Sequence, residues 1–185
     1  ADRLGNVYVA WHGIGETETS SGEGEARRRV WITSSRDEGK SFRTERAAWA
    51  EQTGACGCCG LKIHADRRSR VFALYRSATQ SAHRDIYLLS SKDRGESFAG
   101  CLLHKWDINA CPMSSMDIAD NGNIVVAAWQ TGGQVYWVRV DADGSCAHEP
   151  IAAPGDGRGR KHARAAVSQK GEVLLVWTEG TGWQK

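Results

Sequence analysis

Four short apolar runs recur along the chain, at residues 7–11 (VYVAW), 71–75 (VFALY), 124–129 (IVVAAW) and 173–177 (VLLVW). Each has the length of a strand, is rich in β-branched and aromatic residues, and ends on an aromatic. Three of them follow a Gly-containing turn, at Gly5-Asn6, Asn121-Gly122-Asn123 and Lys170-Gly171-Glu172. Gly and Asn supply the positive φ that tight hairpins need, so each run is predicted to be the second arm of a hairpin. First arms are expected upstream at 61–64, 115–119 and 164–168. Third strands are expected at 29–33, 85–89 and 134–138, with a fourth strand after a further turn. No segment carries a convincing amphipathic helical period.

The closing aromatics Trp11, Tyr75, Trp129 and Trp177 fall at intervals of 64, 54 and 48 residues. Four-stranded antiparallel units repeating on that scale predict the blades of a β-propeller. The expected fold is therefore all-β, a partial propeller over residues 1–185. Its units lie at roughly 1–48, 49–104, 105–150 and 151–185, the last truncated. About three and a half blades fit, whereas propellers close with four to eight. An open arc leaves unpaired strand edges, so the chain is expected to be a fragment of a longer protein.

One stretch is written nearly twice: SSRDEGKSF at 34–42 and SSKDRGESF at 90–98. Both fit Ser-x-Asp-x-Gly-x-x-Phe, through Ser35, Asp37, Gly39 and Phe42, then Ser91, Asp93, Gly95 and Phe98. The Ser hydroxyl and Asp carboxylate can bond local backbone N–H groups, Gly takes the strained backbone angle, and Phe is expected to be buried as the fourth strand begins. The pattern resembles the Asp box of the BNR repeat, and residues 140–144 (VDADG) resemble a degenerate third copy. The segments CGCCGLKIHADRRSRVFALYR, RDIYLLSSKDRGESF, INACPMSSMDIA and VLLVWTEGTGWQK extend the resemblance to uncharacterised bacterial sialidase-like BNR proteins. That resemblance covers nearly the whole chain. It implies a six-bladed sialidase-type propeller, usually exported, in which the boxes are structural and lie away from the active face. A catalytic role for Asp37 or Asp93 is accordingly not expected.

Composition narrows the partners. Hydrophobic residues make up 41% and charged residues 25%, with 21 Gly and 3 Pro, which suits a globular domain. A net charge of +2 from 24 basic and 22 acidic residues offers no field for a polyanion, so nucleic acid is not an expected partner. The short basic runs at 27–29 and 67–70 read as solvated turns. No apolar run approaches the ~20 residues that span a bilayer, and the N-terminus lacks a signal-peptide profile. Residues 1–5 run straight into a strand without an initiator Met and do not look like a natural start. Six cysteines favour an oxidising compartment, periplasmic or secreted. The oligomeric state is not readable.

In the sialidase-type scheme, the loops leading into each first strand and those joining second to third strands share one face. That groups residues 56–59 (CGCC), 109–112 (NACP) and 160–162 (RKH) with His12, residues 76–85 and Gln130. A sialidase needs an arginine cluster for the substrate carboxylate, a Tyr nucleophile assisted by Glu, and an acidic proton donor. Arg76, Arg84 and Arg164 are candidate guanidiniums, Asp85 a candidate acid and Tyr75 a candidate nucleophile. His162, His12 and Gln130 are candidate substrate contacts. None of these sits in a family catalytic motif, and the Arg-Ile-Pro motif of true sialidases is absent from the chain. The alternative is that Arg84 and Asp85 make strand-end contacts and Tyr75 packs between blades.

The cysteines offer other chemistry. Cys56, Cys58, Cys59 and Cys111 are expected close together, with His12 or His162 in reach, a donor set suited to zinc or copper(I). The C-x-C-C run reads as lacking the usual C-x-x-C zinc spacing, and disulfides take precedence for an exported protein. Cys111 is expected to pair across blades with one member of the run, and Cys101 with Cys146. No cofactor or metal is assigned. The loop at 13–26 reads as a surface excursion without the ordered carboxylate spacing of a calcium site.

The expected partner is a glycan or glycoconjugate. Three functions stand: a glycan-recognising propeller, with exo-acting glycosidase (sialidase) activity as its catalytic form, a non-catalytic binding scaffold, or a Cys/His metal-binding propeller.

Overall fold

The computed structural model describes residues 1–15, 24–80, 82–141, 144 and 146–180. Strands β1 (Val7–Gly13), β2 (Arg29–Ser35) and β3 (Arg46–Ala47) form a first antiparallel sheet. Strands β4 (Lys62–Ala65), β5 (Val71–Arg76), β6 (Ile86–Ser91) and β7 (Ala99–His104) form a second, of four strands in chain order. The third repeats it with β8 (Met116–Asp120), β9 (Val125–Thr131), β10 (Gln134–Val140) and β11 (Ile151–Ala152). The fourth holds β12 (Lys161–Val167) and β13 (Val173–Thr178). This is the predicted all-β partial propeller of sialidase type. Among the described residues the only helical segment is a 3-10 turn at Gly24–Arg27, and no helix is long and apolar enough to cross a membrane.

The unbroken apolar runs have a direct cause. Successive side chains of a strand point to opposite faces, and a sheet held between two others must be apolar on both. In β5, Phe72 and Leu74 join Ile86, Leu88, Met116, Ile118 and Trp129 in the core between the second and third sheets. Their neighbours Ala73 and Tyr75 face the other way, to Val30, Ile32 and Leu89 between the first and second. Both β5 and β9 are buried along their whole length. A third core, of Val135, Ala153 and Ala163 with Leu175 and Trp177, joins the third sheet to the fourth. Strand β13 carries the same apolar run, but its outer residues Leu174 and Val176 are 62% and 57% exposed.

The two nonapeptides form matching turns between third and fourth strands. Ser35 Oγ donates to Asp37 Oδ1 at 2.6 Å and accepts from Gly39 N at 2.8 Å. Asp37 accepts from Ser41 N at 2.9 Å and Ser41 Oγ at 2.6 Å. The second turn repeats this with Ser91, Asp93, Gly95 and Ser97, at 2.7, 2.7, 2.9 and 2.5 Å. Gly39 and Gly95 stand at φ 87° and 80°, a region costly for residues with a Cβ. The expectation for Phe fails in the first copy: Phe98 packs into the core between the first two sheets, whereas Phe42 is 47% exposed. Phe98 leads directly into β7, while Phe42 precedes β3 by several residues and that strand is only two residues long. The VDADG segment includes residues 142 and 143, which lie outside the described residues.

Candidate functional site

Strand register brings the loops of interest to one end of the sheets. Lys62 pairs with Leu74, Met116 with Trp129, and Lys161 with Thr178, so the loops preceding β4, β8 and β12 sit level with the ends of β5, β9 and β13. The nonapeptide turns lie at the opposite end, because Val71 pairs with Ser91. A recess lined by Lys92, Ser97, Cys101 and Cys146 opens at that far end, away from the loops.

Arg76, the last residue of β5, is fully buried. Its Nε donates to Ser114 Oγ at 2.6 Å, Nη1 to the Arg84 carbonyl, and Nη2 to the Gln130 carbonyl and to Thr131 Oγ1. The guanidinium lies 4.9 Å over the Trp106 ring. Burial lowers its pKa to about 10, opposed by nearby Cys59, Cys56 and Asp85, so it stays charged at neutral pH. Every nitrogen of the fork is occupied by protein, which corrects the expectation that Arg76 faces a substrate. It bridges the second and third sheets instead.

Arg84 differs. It is 5% exposed, and its Nη2 pairs with Glu25 Oε2 at 2.9 Å. Among the described residues its Nε and Nη1 have no hydrogen-bond partner, and neither have Gln130 Oε1 and His12 Nε2. Arg84 and His12 are both linked to Glu25, while Gln130 is tied in through its carbonyl, which accepts from Arg76. Glu25 Oε1 also accepts from Arg28 Nη1 at 2.8 Å and Gly57 N at 2.7 Å, and the pKa of His12 is lowered by burial and by Arg28 while Glu25 opposes the shift. Glu25 thus joins the 3-10 turn of the first blade to the loop ahead of β4 and to Arg84. Buried polar atoms without partners are uncommon and mark places where a ligand or water belongs.

The remaining candidates separate from this assembly. Tyr75 is 2% exposed, its hydroxyl is 2.6 Å from Thr53 Oγ1, and its ring stacks on Tyr87. Burial raises its pKa, so it packs between blades and is no accessible nucleophile. Asp85 is buried; its Oδ1 accepts from Trp106 N at 2.7 Å, a strand-end contact. Arg164 and His162 are exposed on β12. Arg164 Nη1 donates to the Ala163 carbonyl at 3.0 Å and His162 Nδ1 lies 3.0 Å from Thr178 Oγ1, which keeps both with the fourth sheet, apart from Arg84.

Sequence reasoning missed Glu25, Trp106 and Ser114, and placed Arg160 on the loop face without giving it a role. Arg160 is 2% exposed and donates to Glu179 Oε1, Gln134 Oε1 and the carbonyls of Ala153 and Pro154, over the Trp177 ring. Glu25 belongs to the loop read as a surface excursion, of which residues 16–23 lie outside the described residues. No local pattern marks these residues, because their partners come from other sheets.

Of the cysteines, Cys101 and Cys146 form the expected disulfide. Cys56, Cys58, Cys59 and Cys111 are free thiols, so the expected inter-blade bond from Cys111 is not formed. The spacing also needs correction: Cys56 and Cys59 are themselves three apart, and a turn brings their Sγ atoms to 3.0 Å. The hydrogen bond from Cys56 holds Cys59 down to about 7 despite burial. Cys56 is pushed up by the same bond and by burial. Burial and the neighbouring thiols raise Cys111 to about 11.

No family model matches the chain, and no curated protein matches its sequence. Among solved structures the chain is similar to the K499G mutant of NanB sialidase from Streptococcus pneumoniae, with a TM-score of 0.54 and 15% identity over 80% of this chain. It is also similar to NanB with Optactamide, with a TM-score of 0.51 and 13% identity over 81% of this chain. In each case it covers 23% of the sialidase chain. At such identity the likeness establishes a shared fold: the chain is an arc of sialidase-type blades spanning about a quarter of those proteins.

Proposed function

We propose that this end of the arc recognises an acidic glycan, with Arg84 as the contact for the sugar carboxylate and Gln130 and His12 as neighbouring polar contacts. The observation that carries the reading is Arg84 itself, a nearly buried guanidinium with two nitrogens unclaimed among the described residues. Carboxylates are the natural partners of such a fork. The sialidase-like fold supports the choice of a sialylated ligand.

The described residues favour binding without turnover. Tyr75 is sealed between blades, Arg76 is fully engaged, and Asp85 caps a backbone N–H. A binding scaffold needs none of the three in reactive form. Saturation-transfer NMR of the chain with sialyllactose and with lactose tests the reading. Contact with the sialyl moiety that is lost in Arg84→Ala is expected. Equal signals from both sugars in folded protein would overturn it, and release of fluorophore from a sialoside would replace the scaffold with an enzyme.

A further inference from the structure

Three sulfur atoms converge where the loops leading into β4 and β8 meet. Cys56 Sγ is 3.0 Å from Cys59 Sγ and 3.6 Å from Cys111 Sγ, and all three lie within 4.8 Å of one another. Cys56 and Cys59 are buried and Cys111 is half-buried. Backbone contacts fix their positions: Cys56 N donates to the Arg76 carbonyl at 2.9 Å, Cys59 N to the Cys56 carbonyl at 3.4 Å, and Gly60 N to the Ser114 carbonyl at 3.1 Å. The first anchors the cluster to the end of β5, and the last ties it to the segment that carries Cys111.

A disulfide consumes two sulfurs, and joining any pair here would leave the third pressed against the bond. Three sulfurs about 2.3 Å from one ion, and coplanar with it, stand roughly 4 Å apart. The two separations from Cys56, 3.0 and 3.6 Å, are somewhat shorter than that, and the Cys59–Cys111 separation is within 4.8 Å, so a small opening of the trio admits the ion. Among the described residues no His, Asp or Glu joins the group, so the donor set is three-fold and entirely sulfur. Structural zinc sites close with four ligands, and calcium and magnesium take oxygen. Thiolate sulfur selects copper(I).

We propose that Cys56, Cys59 and Cys111 form a three-coordinate binding site for copper(I). Binding displaces thiol protons to solvent and changes the oxidation state of neither sulfur nor copper. The positive Arg76 guanidinium, which interacts electrostatically with Cys56 and Cys59, offsets the excess negative charge of thiolates gathered around a single monovalent ion. Exposed Cys58 lies outside this mutually close trio, although its thiol bonds to Cys111. The site is independent of the glycan reading.

The test is an anaerobic titration of the reduced full chain with copper(I) against the chelator bathocuproine disulfonate, with zinc run in parallel. One copper(I) per chain should be retained, with ultraviolet thiolate-to-copper absorption. Cys111→Ser and Cys59→Ser should each weaken binding by more than the roughly 10–100-fold that loss of a supporting contact costs, while Cys58→Ser, which removes only a bond to Cys111, should stay within that range. X-ray absorption at the copper edge of the unmodified chain should count three sulfurs, which keeps the test decisive if a Ser variant fails to fold. Complete loss of copper to the chelator, preference for zinc, two sulfurs at the metal, or a Cys56–Cys59 disulfide persisting in copper-treated protein would each overturn the proposal.

Discussion

Arg76 and Arg84 lie at either end of one short connection, yet the fold uses them in opposite ways. Arg76 loses its water entirely and regains four protein acceptors, two of them carbonyls. Arg84 pairs once and, among the described residues, leaves two nitrogens unclaimed. Removing Arg76 strands those acceptors in the interior, so Arg76→Ala is expected to cost about 3 kcal/mol or more by urea denaturation. Arg84→Ala should cost less while abolishing contact with sialyllactose, which separates bracing from recognition. The two turn aspartates predict an acid response. Hydrogen bonds from Ser35 and Ser41 hold Asp37 at about 2. In Asp93 burial acts in the opposite direction, but bonds from Ser97 and Ser91 still bring it to about 2. Both folded values lie below the ordinary 3.8, so their contribution is complete above that pH and is lost as pH falls towards 2. Thermal melts between pH 5 and 2 should show the decline, and Asp37→Asn with Asp93→Asn should flatten it.

At the scale of the element, the strands were legible because the packing demands were simple. A sheet covered on both faces needs an uninterrupted apolar run, and β5, β9 and β13 advertise one. The nonapeptide turns were legible because their bonds are local, although the parts played by Ser41 and Ser97 became evident only in the folded geometry. Strands β3 and β11, two residues each, carry no alternation long enough to locate from sequence. The Arg76 and Arg160 forks were illegible for another reason: half of their acceptors are backbone carbonyls, which any sequence supplies. Gly100 offers a test of close approach between elements. A Cβ there would lie 2.5 Å from the Trp49 indole, in a ring that packs against Tyr87. Gly100→Ala is therefore expected to destabilise the chain by about 1–3 kcal/mol. A chemical melt checks it, and an unchanged midpoint would mean that Trp49 has room to shift.

Across the whole molecule, neighbouring blades are held at both ends by different chemistry. At the turn end, Arg36, Arg43 and Arg46 of the first blade converge on Glu96 and the carbonyls of residues 94–96 in the second. Bonding from Arg36 lowers the pKa of Glu96. Glu96 is well exposed, so Glu96→Gln should lower stability only slightly, and the difference should shrink in high salt. At the loop end the fastening is dry: one arginine from the second sheet grips the backbone and hydroxyls of the third. Two layers sharing such a rivet should breathe as a single cooperative unit, with amide exchange in β5 and β9 governed by one opening event. Exchanging the rivet for methionine should let the third layer's amides open to deuterium well before the second's.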